Sequence, residues 1–151
     1  MINFALSSTI ADSGGQIEWL ERELSEAEKL GQPVWLIGHV PPSYRDCNPN
    51  WALRYNTLVE RYQHIVRFES YGHIHSEEYS VTRSLTTNKP IGVEYIAGDA
   101  GTFDKTDPTF RLYEFHSHYH VPLELVTFKT SINESNKQNR IVMDRWFDFK
   151  R

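Results

Sequence analysis

A short apolar run at residues 33–40, Pro-Val-Trp-Leu-Ile-Gly-His-Val, constrains the fold more than any other feature of the sequence. A run of this length is typical of a strand that is buried on both faces, and such strands lie in sheets that helices cover. An amphipathic helix is predicted before it, because residues 12–15 favour a helix start and Gly31 favours a stop. Between those limits apolar residues recur at helical spacing, at Ile17, Leu20, Leu24, Ala27 and Leu30.

The later pattern predicts one more helix and then a series of strands. The helix is expected at about residues 51–66, and the strand after it, at residues 65–71, ends at Gly72. The close spacing of the strands beyond Gly72 favours hairpins. We therefore expect an α/β fold with a layered, mixed β-sheet flanked by helices. The later strands are predicted at residues 78–83, 91–97, 110–115 and 121–129.

The polar segment at residues 131–140 has the composition of a loop or linker. The ordered body is therefore expected to end near residue 130, which makes residues 1–130 one unit and residues 131–151 a polar C-terminal extension. A total length of 151 residues suits about one domain.

Charge and hydropathy argue against two classes of partner. The net charge is -4 and the sixteen Lys and Arg residues are scattered, so no basic surface for nucleic acid is indicated. Every apolar stretch is far shorter than the roughly 20 residues of a membrane-spanning helix. Residues 1–8 lack the basic segment and long apolar run of a signal peptide. Cys47 is the only cysteine, which rules out an internal disulfide.

Three histidines follow two of the predicted strands, each time after a glycine. His39 follows Gly38, and His73 and His75 follow Gly72. Ligands of open α/β sheets bind beyond the carboxyl ends of the strands, so these segments are expected to meet. An extended backbone would direct His73 and His75 to one side, where they could hold one ion or bridge a pair. Three neutral imidazoles also suit a mononuclear zinc site, and a histidine at a strand end is commonly only hydrogen bonded.

Other polar residues support weaker hypotheses. His116, His118 and His120 alternate between two predicted strands, where a solvated turn is favoured over an ion site. Asp99 lies in a small-residue loop after a strand, where it is a candidate metal ligand or substrate contact, although an Asp between glycines is usually a turn residue. The sequence has no phosphate-binding Gly-rich loop with Gly-Lys, no nucleophilic-serine motif and no Cys-x-x-Cys.

The two glycine-histidine segments resemble those of the calcineurin-like metallophosphoesterases, and within them the acid sphingomyelinase-like phosphodiesterases. The matching segments are Gly-His-Val-Pro-Pro at residues 38–42 and Gly-His-Ile-His at residues 72–75. The helix at residues 16–24, the strand at residues 108–113 and the sequence leading to Asn-Glu-Ser at residues 133–135 extend the similarity. The resemblance covers roughly residues 14–136, and the ordered pair of motifs makes it fairly specific.

The resemblance implies a phosphodiester hydrolase with two metal ions, usually zinc, in which a metal-bound water attacks phosphorus. By motif, His39 and His73 would bind one ion and His75 the other. The implied substrate is a lipid head group such as that of sphingomyelin, or a nucleotide, and the implied location is secreted or lysosomal. Asn133-Glu134-Ser135 is a glycosylation sequon that agrees with this location.

The family's remaining ligands and its acid catalyst belong to motifs that precede these segments, and none of those motifs occurs in this sequence. We therefore expect the chain to be the C-terminal half of the catalytic domain, an α/β/β/α sandwich, with the N-terminal half of the site as its natural partner. The alternative is a non-catalytic fragment or binding module. Upstream sequence encoding the missing motifs would favour the enzyme.

Overall fold

The computed structural model describes Asp12 and residues 14–150, so the segment considered above for a signal peptide lies outside the described residues. The predicted layered α/β fold is confirmed, with helices and strands in mixed directions. The elements, in chain order, are α1 (Gln16–Leu30), β1 (Val34–Ile37), α2 (Pro49–Arg61), β2 (Val66–Tyr71), β3 (Glu78–Arg83), β4 (Pro90–Ile96), a 3-10 helix (Phe103–Lys105), β5 (Thr109–Phe115), β6 (Pro122–Thr130), α3 (Ile132–Gln138) and β7 (Met143–Lys150).

The strands form two sheets. The first has the order β1-β2-β4-β3, in which β1, β2 and β4 are parallel and β3 is antiparallel to β4. The second is an antiparallel sheet of order β5-β6-β7. The carboxyl ends of β1 and β2 therefore lie side by side at one edge of the first sheet. Among the described residues, no helix combines the length and apolar character that crossing a membrane requires.

Helix α1 forms where the amphipathic pattern predicts it. The Asp12 carboxylate accepts hydrogen bonds from the backbone N–H groups of Ile17 and Glu18, each at 3.0 Å. These two N–H groups have no partner inside the helix, so the carboxylate stabilises the first turn. Gly31 ends the helix with a φ of 64°, a conformation that glycine adopts without steric cost.

The main apolar core lies between helices α1 and α2 and one face of the first sheet. Burying each large aliphatic or aromatic side chain contributes about 1.5–3 kcal/mol relative to exposing it. The buried residues of this core are Leu20, Leu24, Ala27, Tyr55, Leu58, Val59, Tyr62, Ile65, Tyr71 and Ile96.

The opposite face of the first sheet packs on the second sheet through aromatic rings. Trp35 stacks on Phe115 with ring centroids 4.1 Å apart, and Phe68 meets Phe115 edge to face at 5.0 Å. Tyr113 contacts Phe68 in the same way at 5.0 Å. Such offset and edge-to-face arrangements are the favourable geometries for aromatic pairs. The molecule thus has a layer of two helices, a mixed sheet and an antiparallel sheet.

Two expectations about local structure are wrong. The run at residues 33–40 was expected to be buried on both faces, but Trp35 is 45% exposed and Ile37 is 78% exposed. Strand β1 lies at the edge of the four-stranded sheet formed by the described residues, where its neighbours cover only part of the strand. The second helix ends at Arg61, before the predicted residue 66, and starts at Pro49 with its N-terminus capped by Asn48.

The C-terminal segment is also more regular than its composition predicts. Helix α3 occupies most of the expected loop at residues 131–140, and β7 pairs with β6, so the ordered body does not end near residue 130. The Ser131 side chain caps α3 by accepting from the Glu134 N–H at 3.4 Å, and Asn139 ends the helix with a φ of 48°. A polar composition does not separate a short surface helix from a loop. Whether residues 1–130 are part of a catalytic domain stays a prediction.

A buried ion pair joins the two sheets. Glu77 lies just before β3, and its carboxylate pairs with the guanidinium of Arg111 on β5; the two side chains are only 9% and 6% exposed. Arg111 also donates to the carbonyl oxygen of Ile96 at 3.1 Å. Glu77 accepts further hydrogen bonds from the Gly98 N–H at 2.9 Å and from the Thr127 hydroxyl at 3.2 Å. The charges are therefore compensated by each other and by several hydrogen bonds, which a buried pair requires.

Removing one member of this pair should destabilise the fold strongly. Arg111→Met leaves the Glu77 carboxylate buried without its counter-charge, and we expect a loss of about 3–5 kcal/mol in the free energy of unfolding. Urea unfolding measures it. The control is Arg145→Met, which removes an exposed ion pair with Glu124 at 3.1 Å and should cost less than about 1 kcal/mol. Equal losses for the two variants would contradict the role given to Arg111.

Two carboxyl groups are buried between α2 and the first sheet. Glu69 and Glu94 are register partners on β2 and β4, and each is 2% exposed. Glu69 accepts hydrogen bonds from the Tyr55 hydroxyl at 2.8 Å and the Tyr71 hydroxyl at 3.3 Å. Burial raises the pKa of Glu69 above its ordinary value, and these hydroxyls oppose that effect. Burial also raises the pKa of Glu94, and the neighbouring Glu69 adds to the rise.

The raised pKa values make stability depend on pH in a defined direction. Because the pKa of Glu69 is higher in the folded state than its ordinary 4.5, its contribution is fully present at low pH and is lost as pH rises through the folded value. Glu69→Gln should therefore gain stability relative to the unsubstituted protein between about pH 4 and pH 7. Urea unfolding across this range measures the difference. Glu21→Gln removes an exposed carboxylate of α1 as a control, and parallel profiles for all three proteins would contradict the prediction.

Candidate functional site

The ends of β1 and β2 bring the two glycine-histidine segments together. The Gly38 N–H donates to the Ser70 carbonyl at 3.0 Å, and the Gly72 N–H donates to the His39 carbonyl at 3.0 Å. These backbone bonds extend the parallel pairing past the last residues of both strands. His39 and His73 therefore lie at the same edge of the sheet, as the strand-end argument predicts.

The imidazoles of His39 and His73 face each other. His39 Nε2 and His73 Nδ1 are 3.4 Å apart, and the rings meet edge to face with centroids 5.2 Å apart. Two nitrogen ligands at about 2.0–2.1 Å from a tetrahedral zinc ion are separated by about 3.3–3.4 Å. The spacing of this pair therefore fits two of the four ligand positions of one zinc ion.

His75 points to a different group of residues. Its Nδ1 lies 3.2 Å from Asp99 Oδ2, and its ring meets Phe103 edge to face with centroids 5.2 Å apart. The other oxygen of Asp99 accepts from the Gly101 N–H at 2.7 Å. The structure thus places the candidate Asp99 beside His75, although its Oδ2 is buried and has no hydrogen-bond partner.

The sequence pattern led us to expect an extended backbone at His73 and His75. In the structure the backbone there is not extended. Residues 73–76 form a bend, and the φ angles are 74° for His73 and 56° for His75. A left-handed residue turns the chain sharply, so the two side chains diverge toward Asp46 and Asp99. This conformation is uncommon in residues other than glycine, and Asn, Asp and His adopt it most readily.

The surroundings require glycine at only one of the two positions before the histidines. Neither Gly38 nor Gly72 has a positive φ angle; in the second segment the positive φ angles fall on His73 and His75. A Cβ atom at Gly38 would lie 2.9 Å from a ring carbon of Tyr71, so the strand end passes too close to Tyr71 for any side chain. A Cβ at Gly72 would meet His39 Nδ1 at an ordinary 3.8 Å. Close approach is therefore required at the first glycine only.

The donor set near the histidines fits an ion in part. His39 and His73 supply two nitrogens to one position, and His75 is turned to Asp99. Within the part of the chain that the structure describes, no group of three or more His, Cys, Asp or Glu side chains could hold an ion. Completing a tetrahedral site at the His39–His73 pair therefore needs donors beyond these two.

The remaining histidines lie in structural contacts. His116 to His120 is a turn, as predicted, in which His116 Nδ1 accepts from the backbone N–H groups of His118 and Tyr119 at 3.1 and 3.2 Å. The His120 carbonyl accepts from the Trp35 indole N–H at 3.0 Å. His64 pairs with Glu28 at 2.8 Å on the surface between α1 and α2.

Asp46 is the site residue that sequence reasoning missed. Its Oδ2 lies 3.1 Å from His73 Nε2, on the side of the ring away from His39. The only sequence signal was an acidic residue in the loop between the Pro-Pro pair and the next helix. The position of a loop aspartate in the sequence gives no indication that it will contact a histidine that follows a strand elsewhere in the chain.

A cavity of about 440 Å³ opens beside His75. Two of its lining residues, Lys105 and Lys129, can be positively charged, and Lys129 Nζ lies 5.1 Å from the ring centroid of Trp146. Four carboxylates also line the cavity, those of Glu77, Glu78, Asp99 and Asp107. It therefore places acidic, cationic and aromatic groups within one space next to a candidate metal-binding histidine.

Comparison with known proteins gives sequence relatives along nearly the whole chain. Sphingomyelin phosphodiesterase of Bos taurus is 34% identical over 89% of this chain, and that of Homo sapiens is 32% identical over 89%. Acid sphingomyelinase-like phosphodiesterase 3b of Homo sapiens is 25% identical over 89%. No protein-family model matches the chain.

Over 89% of its length the chain is thus similar to sphingomyelin phosphodiesterases and to an acid sphingomyelinase-like phosphodiesterase. The resemblance inferred from the two glycine-histidine segments is confirmed. The chain spans 22% of the length of the bovine and human sphingomyelin phosphodiesterases and 33% of that of the human 3b protein.

Proposed function

We propose that this chain forms part of a zinc-dependent phosphodiester hydrolase that cleaves sphingomyelin or a nucleotide phosphodiester. The spacing of the His39 and His73 nitrogens carries the proposal, because 3.4 Å is the distance expected for two ligands of one zinc ion. The family relationship supports the reaction class, since relatives of this chain are sphingomyelin phosphodiesterases.

The histidines would divide between two ions. His39 Nε2 and His73 Nδ1 face a common position and would hold the first ion. His75 turns its Nδ1 to Asp99, which leaves Nε2 as its free nitrogen for the second. When bound, zinc lowers the pKa of a coordinated water and neutralises charge on phosphoryl oxygens. Of these imidazoles, His73 has a hydrogen-bonded carboxylate on its second nitrogen, that of Asp46.

The cavity beside His75 would receive the substrate, and its lining is mixed. Lys105 and Lys129 supply two ammonium groups, whereas four carboxylates also line it, those of Glu77, Glu78, Asp99 and Asp107. Lys129 Nζ lies 3.9 Å from Asp107 Oδ2 and 5.1 Å from the ring centroid of Trp146. The proposed choice of a lipid head group or a nucleotide therefore rests on the relatives and not on the charge of the cavity.

A second candidate is a non-catalytic binding module. The observation that favours it is the small donor set, since the described residues place only two imidazole nitrogens at one position. Such a module would bind zinc weakly and would not hydrolyse phosphodiesters. Donors from outside the described residues would be needed to complete the site of an enzyme.

The family relationship also supports a secreted or lysosomal location. Asn133 of the glycosylation sequon is exposed in the second position of α3, so its side chain is accessible to a glycan.

Zinc binding by the chain tests the proposal. His39→Ala and His73→Ala should each weaken zinc binding by about 10-fold to 100-fold or more. Removing a residue that hydrogen-bonds to a metal ligand typically has an effect of this size, and removing the ligand itself should cost at least as much. Competition with a chromogenic chelator gives the affinity. His118→Ala is the matched control, since this histidine lies in the 116–120 turn, and it should bind zinc like the unsubstituted chain.

Turnover separates the two candidate functions. Hydrolysis of a chromogenic phosphodiester that is lost in the double variant His73→Ala with His75→Ala supports the hydrolase. Zinc binding without turnover supports the module. Unchanged zinc affinity in both His39→Ala and His73→Ala would contradict the proposed site.

A further inference from the structure

The His73 ring is held between two groups. Its Nδ1 faces His39 Nε2 at 3.4 Å, and its Nε2 faces Asp46 Oδ2 at 3.1 Å. The two nitrogens of an imidazole lie on different sides of the ring. The Asp46 carboxylate therefore cannot reach the position shared by His39 and His73, and its contact with His73 has another consequence.

That consequence concerns the position of the ring proton. A neutral imidazole has one N–H donor and one acceptor nitrogen, and a carboxylate only accepts. The contact with Asp46 favours the tautomer in which Nε2 carries the proton. The lone pair of His73 is then on Nδ1, directed at the position that His39 Nε2 also faces.

We propose that Asp46 is a positioning residue for metal binding: it fixes the tautomer and ring orientation of His73 so that Nδ1 is presented to the ion. This inference rests on the proposed zinc site at His39 and His73. Histidine ligands of metals commonly donate their second N–H to a carboxylate in this way, which orients the ring and raises its basicity.

The loop that carries Asp46 is held at several points. The Ser43 hydroxyl donates to the buried Glu94 carboxyl at 2.5 Å. The Tyr44 N–H donates to the Pro41 carbonyl at 3.0 Å, and the Cys47 N–H donates to the Tyr44 carbonyl at 2.9 Å. Asp46 thus lies in a hydrogen-bonded turn tied to β4, so its carboxylate is held close to His73 before any ion binds.

The second oxygen of Asp46 is weakly engaged. Arg45 Nε lies 3.9 Å from Oδ1, a distance that leaves Oδ2 to His73. The side chains of Asp46 and His73 are 48% and 29% exposed. A pair this accessible contributes little to folding, so a loss of metal affinity in an Asp46 variant would not be explained by unfolding.

His75 and Asp99 lie close together on the other side of the bend, but without the hydrogen bond that joins His73 to Asp46. Asp99 Oδ2 lies 3.2 Å from His75 Nδ1 and has no hydrogen-bond partner. The tautomer argument therefore applies to His73 alone.

The tautomer of His73 is measured on the metal-free chain by 15N NMR of the imidazole nitrogens. We expect Nε2 to be protonated and Nδ1 to be unprotonated. In Asp46→Ala the preference should diminish, while Asp46→Asn, which keeps an acceptor oxygen without the charge, should be intermediate. Asp148→Asn is the control, because it removes an exposed carboxylate that pairs with Arg145 at 3.0 Å; it should leave the His73 signals unchanged.

Zinc affinity gives the second readout. Asp46→Ala should bind zinc about 10-fold to 100-fold more weakly than the unsubstituted chain, with an unchanged urea midpoint, and Asp148→Asn should bind normally. A His73 that prefers protonation at Nδ1, or an Asp46→Ala chain with full zinc affinity, would overturn the inference. Failure of the unsubstituted chain to bind zinc would instead overturn the proposed zinc site. The 15N measurement would then test only the hydrogen bond between Asp46 and His73.

Discussion

The buried pair of Glu77 and Arg111 connects the two sheets, and the arrangement around His75 depends on it. Glu77 accepts from the Gly98 N–H, next to Asp99, while Arg111 belongs to the second sheet and donates to the end of β4. The same carboxylate therefore fixes the loop of Asp99 and attaches the antiparallel sheet. Because both side chains are almost fully buried, the pair has no low-cost alternative arrangement, and the loop position follows from it.

Much of the fold could be predicted from apolar patterning. Helix α1 and the strands before Gly38 and Gly72 have clear periodicity and stop signals, and the structure agrees with their existence. The burial of β1 could not be predicted, since exposure depends on which strands and helices lie beside it. Helix α3 was missed because each of its residues after Ile132 is polar. Its local signals were Ser131 with Glu134 three residues later at the start and Asn139 at the end.

The site was predictable only where geometry follows directly from topology. Parallel strand ends meet at one sheet edge, so the contact of His39 with His73 could be expected from the order of elements. The divergence of His75 could not, because a left-handed φ at His73 and His75 is a property of the folded bend. The contact of Asp46 with His73 also has no sequence signal, because it depends on how tertiary hydrogen bonds fold the loop of Asp46.

In the proposed site His39 and His73 bind one zinc ion together, while His75 is turned away from them toward Asp99. X-ray absorption spectroscopy at the zinc edge, on the chain loaded with less than one equivalent of zinc, tests this most directly. We expect scattering from two imidazole rings at about 2.0–2.1 Å from the ion. A zinc shell without imidazole, or one with three imidazoles on the same ion, would contradict it.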